Sequence, residues 1–134
     1  MTGLLIDTDA LSCVIGATGL TPRAREAIAA ADETYTSAVS LYEIALKVRL
    51  GKWPEMNEFS PNLPALVPNS GITILPLTAE VAHLAGSLDW DHRDPFDRLI
   101  VAQAIVSNLP LVSSDRAIGA LGAAPGRGHR ATVW

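Results

Sequence analysis

The chain has a single cysteine, Cys13, so no intrachain disulfide can staple it, and a reducing cytoplasm is the expected setting. Cys13 stands in an apolar stretch with no histidine beside it and reads as a small core residue rather than a nucleophile. No Cys/His spacing suited to zinc is present, and no Ser-His-Asp set offers itself. Basic residues are few: 10 Lys plus Arg against 14 Asp plus Glu leave a formal net charge of −4. That balance argues against a broad nucleic-acid-binding surface but leaves room for a local basic rim. No apolar run reaches membrane-spanning length, so no membrane association is expected. The N-terminus lacks a basic leader, and Asp7 interrupts its apolar run, so no targeting segment is expected either. Gly126-Arg127-Gly128 lacks the Lys-Ser/Thr ending and the preceding strand of a phosphate loop. Internal repeats and low-complexity segments are absent.

What remains is an apolar-rich chain. Apolar residues make up 49% of 134, which excludes extended disorder. The length suits one domain over residues 1–134, able to bury about two-thirds of the surface its unfolded form exposes.

Gly3-Leu4-Leu5-Ile6 reads as a buried strand with Asp7 at its C-terminal end, and Thr8-Asp9-Ala10-Leu11 opens a short helix. Thr21-Pro22 starts a second helix, through about Ala31. Thr34-Tyr35-Thr36 is β-prone. Ser37 to Lys52 forms a helix, with Leu41, Ile44, Ala45 and Val48 at helical spacing and Gly51 as its stop. Ser40-Leu41-Tyr42-Glu43 matches a capping box, which gives Glu43 a structural explanation. Trp53 to Ser70, rich in Pro and Asn, reads as a loop with one short helix around Leu63 to Val67. Ile72-Thr73-Ile74-Leu75 is a strand closed by Pro76. Thr78 caps a helix from Ala79 to about Ser87, with His83 at its surface. Leu109 to Val112 is a fourth strand, ending in Ser113-Ser114-Asp115. Ala131 to Trp134 offers a final short strand.

The chain is organised around His92-Arg93-Asp94-Pro95-Phe96-Asp97-Arg98 and the apolar run behind it. Pro95 suits the first position of a helix and Asp94 its N-cap. Asp97 falls one turn in, at the helix's positive end. The run from Leu99 to Val106 is apolar on almost every face, as in a buried helix ending near Asn108. Alternation of strands and helices predicts an α/β fold around a parallel sheet of four or five strands. Right-handed crossovers would place the strand ends on one edge. Asp7 and Asp115 follow strands there, and Glu43 and Asp97 open helices that should start near that same edge. Four acids from four distant segments then converge.

Clustered carboxylates repel one another and are tolerated where a cation compensates them. Oxygen-only ligands suit Mg²⁺ or Mn²⁺. The chemistry this favours is in-line attack on a phosphodiester, the metal activating water and stabilising the leaving oxygen. Arg93, Arg98 and Arg116 flank the acidic motifs and are candidates for holding substrate phosphates, with pairing to neighbouring carboxylates as the alternative. Trp90 is a candidate for stacking on a base, or for the core.

The motifs LLIDTDAL, TSAVSLYEIALKVRLGK, HRDPFDRLIVAQA and LVSSD, in this order, resemble a PIN-domain ribonuclease, and within that family the VapC toxins of bacterial toxin–antitoxin pairs. The resemblance runs from Leu4 to Trp134 and is weakest across Trp53–Ser70 and Gly122–Arg130. It implies a three-layer PIN-like fold and a Mg²⁺- or Mn²⁺-dependent endoribonuclease that leaves a 5′-phosphate and a 3′-hydroxyl. It implies a cognate VapB-type antitoxin as inhibitor, a structured RNA such as tRNA or rRNA as substrate, and a homodimer. Matched position by position, Asp7, Glu43, Asp97 and Asp115 are the family's acidic quartet and metal ligands. Asp94 is second to Asp97 as the third acid, and Thr8 and Ser114 match small hydroxyl positions near the metal. Asp9 and Cys13 stand where similar sequences often carry His and Trp.

Two other readings stay open. Asp7-Thr8-Asp9 after an apolar strand also resembles the start of a haloacid-dehalogenase-type phosphatase, although no Gly-Asp-x-x-x-Asp pattern follows. Alternatively, the acids are helix caps in a non-catalytic binding module.

Overall fold

The computed structural model describes residues 3–115 and 131–133. Strand β1 (Gly3–Ile6) leads into α1 (Thr8–Gly16) and α2 (Pro22–Ala30), then β2 (Glu33–Ser37) and α3 (Ala38–Arg49). Two 3₁₀ turns, Pro54–Met56 and Ser60–Asn62, precede α4 (Leu63–Asn69) and β3 (Ile72–Leu75). Helices α5 (Ala79–Ser87) and α6 (Pro95–Val106), then β4 (Leu111–Ser113) and β5 (Ala131–Val133), complete the described elements.

The five strands form one parallel sheet in the order β3-β2-β1-β4-β5. The chain moves outward from β1 to β2 and β3, then returns to the other side of β1 with β4. Strand order therefore reverses between β1 and β4, and the crevice beyond their C-terminal ends is where such sheets bind ligands. Asp7 stands at the end of one of those strands and Asp115 beyond the end of the other.

The period-two alternation of β1 sorts the core into layers. Leu4 and Ile6 pack with Leu11, Ala24, Ile44, Leu63 and Val67 from α1 to α4. Leu5 packs instead with Ile100, Val101 and Ala104 of α6 and with Leu111. Both faces of the sheet are thus covered, as a parallel sheet requires. A smaller cluster of Val81, Ala85 and Ala102 joins α5 to α6.

Most helix starts follow local cap chemistry. Thr21 caps α2 and Thr78 caps α5 through their hydroxyls, and Asp94 caps α6 with Pro95 at the first position. Helix α3 ends as Gly51 predicts: Gly51 has φ +72°, its N–H donates to the Val48 carbonyl, and Lys52 N–H donates to that of Lys47, which is the Schellman arrangement.

The start of α3 differs from the sequence expectation. Ser37, the last residue of β2, is the cap, its Oγ accepting from Val39 N–H at 3.1 Å. Ser40 lies inside the helix, so there is no Ser40–Glu43 capping box. The segment after Trp53 also carries more helix than the single short one expected, because its prolines stand at the first positions of short turns. Strand β4 begins at Leu111, two residues later than expected. Arg116 and Gly122–Arg130 lie outside the described residues.

Candidate active site

Six carboxylates, those of Asp7, Asp9, Glu43, Asp94, Asp97 and Asp115, wall a single pocket of about 130 Å³ together with Thr8 and Lys47. They come from the ends of β1 and β4, the first turn of α1, the middle of α3 and the N-terminus of α6. All four acids of the expected quartet are in this set, and so is Asp94. Ser114 is exposed and is not among the lining residues.

Asp7 is the most constrained. It is only 6% exposed, and its Oδ1 accepts from Ala10 N–H at 2.8 Å, capping α1. The capping alternative weighed for Asp7 is therefore real, and Asp7 faces the pocket as well. Burial pushes its carboxyl from the ordinary 3.8 up to about 7, against the hydrogen bonds from Ser113 and Ala10, and the charges of Asp9 and Asp97 add to the rise. Nothing in the sequence singles out Ser113, which simply follows the apolar run Leu109 to Val112.

Glu43, 5% exposed, caps nothing. Its Oε2 accepts from Lys47 Nζ at 2.6 Å, one helical turn on. Desolvation would lower the Lys47 ammonium, but the hydrogen bond and charge of Glu43 outweigh it, leaving Lys47 above its ordinary value. The same ammonium lies 5.5 Å from the centroid of the Trp53 ring, a cation–π contact. Lys47 was missed as a site residue, although its spacing from Glu43 is that of a helical ion pair.

Asp97 Oδ2 lies 2.6 Å from His92 Nε2. Burial pushes the Asp97 carboxyl up to about 6, the His92 hydrogen bond opposes this, and the charges of Asp94 and Asp115 reinforce it. Ligand atoms of His92, Asp94 and Asp97 all fall within 4.8 Å of one another. Asp94 has a second task, its Oδ1 accepting from Phe96 N–H at 2.9 Å.

Two predicted residues have structural roles. Thr8 Oγ1 donates to the buried Ser40 Oγ at 2.9 Å, tying the start of α1 to the helix that carries Glu43. Arg98 uses its guanidinium on backbone carbonyls: Nε on Ala85 (2.9 Å), Nη1 on Trp90 (2.6 Å) and His92 (3.0 Å), Nη2 on Leu88 (2.7 Å). Those bonds brace the loop that sets His92 against Asp97, rather than presenting Arg98 to a phosphate or a carboxylate. Arg93 is exposed.

An all-oxygen donor set of this density, with a nearly buried carboxylate whose negative form is disfavoured, fits a hard divalent cation. Asp7, Glu43, Asp97 and Asp115 line the pocket that such an ion would enter, and Asp9 and Asp94 add negative charge around them.

Comparison with known proteins agrees with the architecture. The model of the PIN domain family matches residues 4–123. No curated protein matches the sequence. Among solved structures, a chain of the VapBC2 complex of Rickettsia felis, bound to a DNA fragment from its promoter, superposes with TM-score 0.69 at 18% identity, over 99% of both chains. A chain of DNA-bound VapBC from Salmonella typhimurium gives 0.66 at 18% identity, covering 100% of this chain and 99% of that one. A toxin–antitoxin complex from Klebsiella pneumoniae gives 0.59 at 16% identity, over 98% and 95% of the two chains.

Proposed function

Because the chain belongs to the PIN domain family, we propose that it is a VapC-type toxin: a Mg²⁺- or Mn²⁺-dependent endoribonuclease held inactive by a cognate VapB-type antitoxin. The observation that carries this reading is the convergence of six carboxylates on one pocket at the strand-order reversal. Helix capping accounts for Asp7 and Asp94 one at a time. It leaves Glu43 unexplained, since Glu43 caps no helix and is buried facing the same pocket. A haloacid-dehalogenase-type phosphatase needs a lysine to hold the phosphoryl group; of the two lysines here, Lys47 is engaged by Glu43 and Lys52 is not among the residues that line the pocket.

A divalent cation held by Asp7, Glu43, Asp97 and Asp115 would supply positive charge beside the scissile phosphate and increase the acidity of the attacking water. The chain's own residues set the stage. Ala10 N–H and Ser113 orient Asp7, and His92 orients Asp97. Arg98 holds the His92 loop in place. Arg93, exposed and next in sequence to Asp94, is the described arginine assigned to an RNA phosphate.

We further propose that residues 1–134 act as a single domain in the cytoplasm, as a homodimer, on a structured RNA such as tRNA or rRNA. Among the described residues no helix is long and apolar enough to cross a membrane. The solved neighbours supporting the antitoxin partner are VapBC and toxin–antitoxin complexes. The test is incubation of total RNA with purified, antitoxin-free protein and Mg²⁺ or Mn²⁺. Discrete cuts that vanish with EDTA support the reading; cuts unaffected by EDTA oppose it.

A further inference from the structure

Among the described residues that line the pocket one is a cation, Lys47, and it divides the carboxylates unequally. Lys47 Nζ sits 2.6 Å from Glu43 Oε2. Glu43 precedes it by four residues on α3, the favourable order for a helical ion pair. The Glu43 side chain is 6% exposed, so its charge requires compensation. The lysine is fixed by a second anchor, the Trp53 ring. Its other acidic neighbours are Asp9 and Asp94. This side of the pocket already holds positive charge.

The other side differs. Asp7 is as deeply buried as Glu43, yet among the described residues no lysine or arginine lies within 4.0 Å of it. Its hydrogen bonds come from the Ala10 N–H and from Ser113. Asp97 meets an imidazole, not a fixed cation. A divalent ion gains most where buried negative charge is uncompensated. An ion at Glu43 would have to displace Lys47 from a short pair whose carboxylate is nearly buried and then lie beside its charge.

We propose that this pocket takes one divalent cation, at Asp7 and Asp97, and that the Lys47 ammonium on Glu43 occupies the place of a second. The assignment rests on the metal-dependent reading above and narrows its four acids: Glu43, engaged by Lys47, does not contact the ion, and the site holds one ion rather than two. Lys47 is then a built-in counter-charge for Glu43, positioned at the pocket wall by helical spacing and by Trp53.

Counting Mn²⁺ tests this without RNA. The purified full chain is titrated with Mn²⁺ alone, and free Mn²⁺ is read by electron paramagnetic resonance, with folding checked by circular dichroism. Wild type is expected to bind one ion per chain, Lys47→Arg one, and Lys47→Met two, because removing the ammonium frees Glu43 for a second ion. Two ions in wild type, or one in Lys47→Met, overturns the proposal. Wild type that binds no Mn²⁺ overturns it together with the metal-dependent function. If the counts are as expected and neither protein cuts RNA, the lysine assignment stands and the ribonuclease reading fails.

Discussion

His92 Nε2 stands 2.6 Å from Asp97 Oδ2, and Arg98, the residue after Asp97, donates from Nη1 to the His92 carbonyl at 3.0 Å. One turn of α6 thus carries both a pocket acid and the clamp for the side chain that orients it. Groups that orient a metal-holding carboxylate are commonly worth about 10- to 100-fold in metal affinity or activity. His92→Ala is expected to weaken Mn²⁺ binding by roughly that range, with His92→Gln recovering part of it through its amide. Calorimetric titration measures this, and an unchanged affinity in His92→Ala would remove His92 from the site.

Arg98 should matter for stability before activity. Hydrogen bonds from charged donors contribute about 1.5–3 kcal/mol each, and removing the donor leaves partners unsatisfied. Lysine cannot reproduce the planar fork. Arg98→Lys is expected to cost about 2–3 kcal/mol in urea unfolding. A loss below about 0.5 kcal/mol, the level of an ordinary surface change, would contradict the clamp.

The buried acids predict an unusual pH dependence for the metal-free protein. The folded-state carboxyl of Asp7 lies near 7, and that of Asp97 near 6, against 3.8 ordinarily. An acid raised on folding binds its proton more tightly in the folded state. Its favourable contribution is therefore complete below the unfolded value and is lost as pH climbs through the folded one. In EDTA, stability should fall between about pH 5 and about pH 8, by an amount on the order of a few kcal/mol from Asp7. Asp7→Asn should flatten that fall and be the more stable protein at the upper end. Denaturant midpoints at both pH values check it; a wild type that gains stability toward pH 8 would contradict the burial of an uncompensated Asp7.

Asp94 and Asp97 separate by role. Asparagine keeps an N-cap almost intact, so Asp94→Asn should retain both the start of α6 and most cleavage. Asp97→Asn retains the helix and loses the charge proposed to hold the metal, so its cleavage should drop further. Initial rates on one RNA rank them, and the reverse ranking would make Asp94 the third acid.

Much of this was legible in the sequence because it is local. Asp94-Pro95, Thr21-Pro22 and Thr78 announce helix starts through cap chemistry, and β1 and β3 through short apolar runs. The meeting of Asp7, Glu43, Asp97 and Asp115 followed from parallel strand order, which sets Asp7 and Asp115 on one edge, together with the helices that start near that edge and carry Glu43 and Asp97. Glu43 was harder to read, because Ser37 and Ser40 are both plausible caps one turn apart. Tertiary contact decides between them: Ser40 is buried against Thr8, and Ser37 ends β2. His92 on Asp97, and the reach of Arg98 to four carbonyls, depend on how the loop before α6 folds back, which no periodicity encodes. Lys47 was visible as an i,i+4 partner of Glu43, but its place in the pocket wall was not.

The most direct test of the central claim is cleavage of total RNA by folded, antitoxin-free wild type and Asp7→Asn, each in Mn²⁺ and in EDTA. Discrete cuts by wild type in Mn²⁺ only, with none by a folded Asp7→Asn, are predicted. Cleavage by Asp7→Asn at the wild-type rate, or cutting that persists in EDTA, would contradict a metal-dependent site built on these carboxylates.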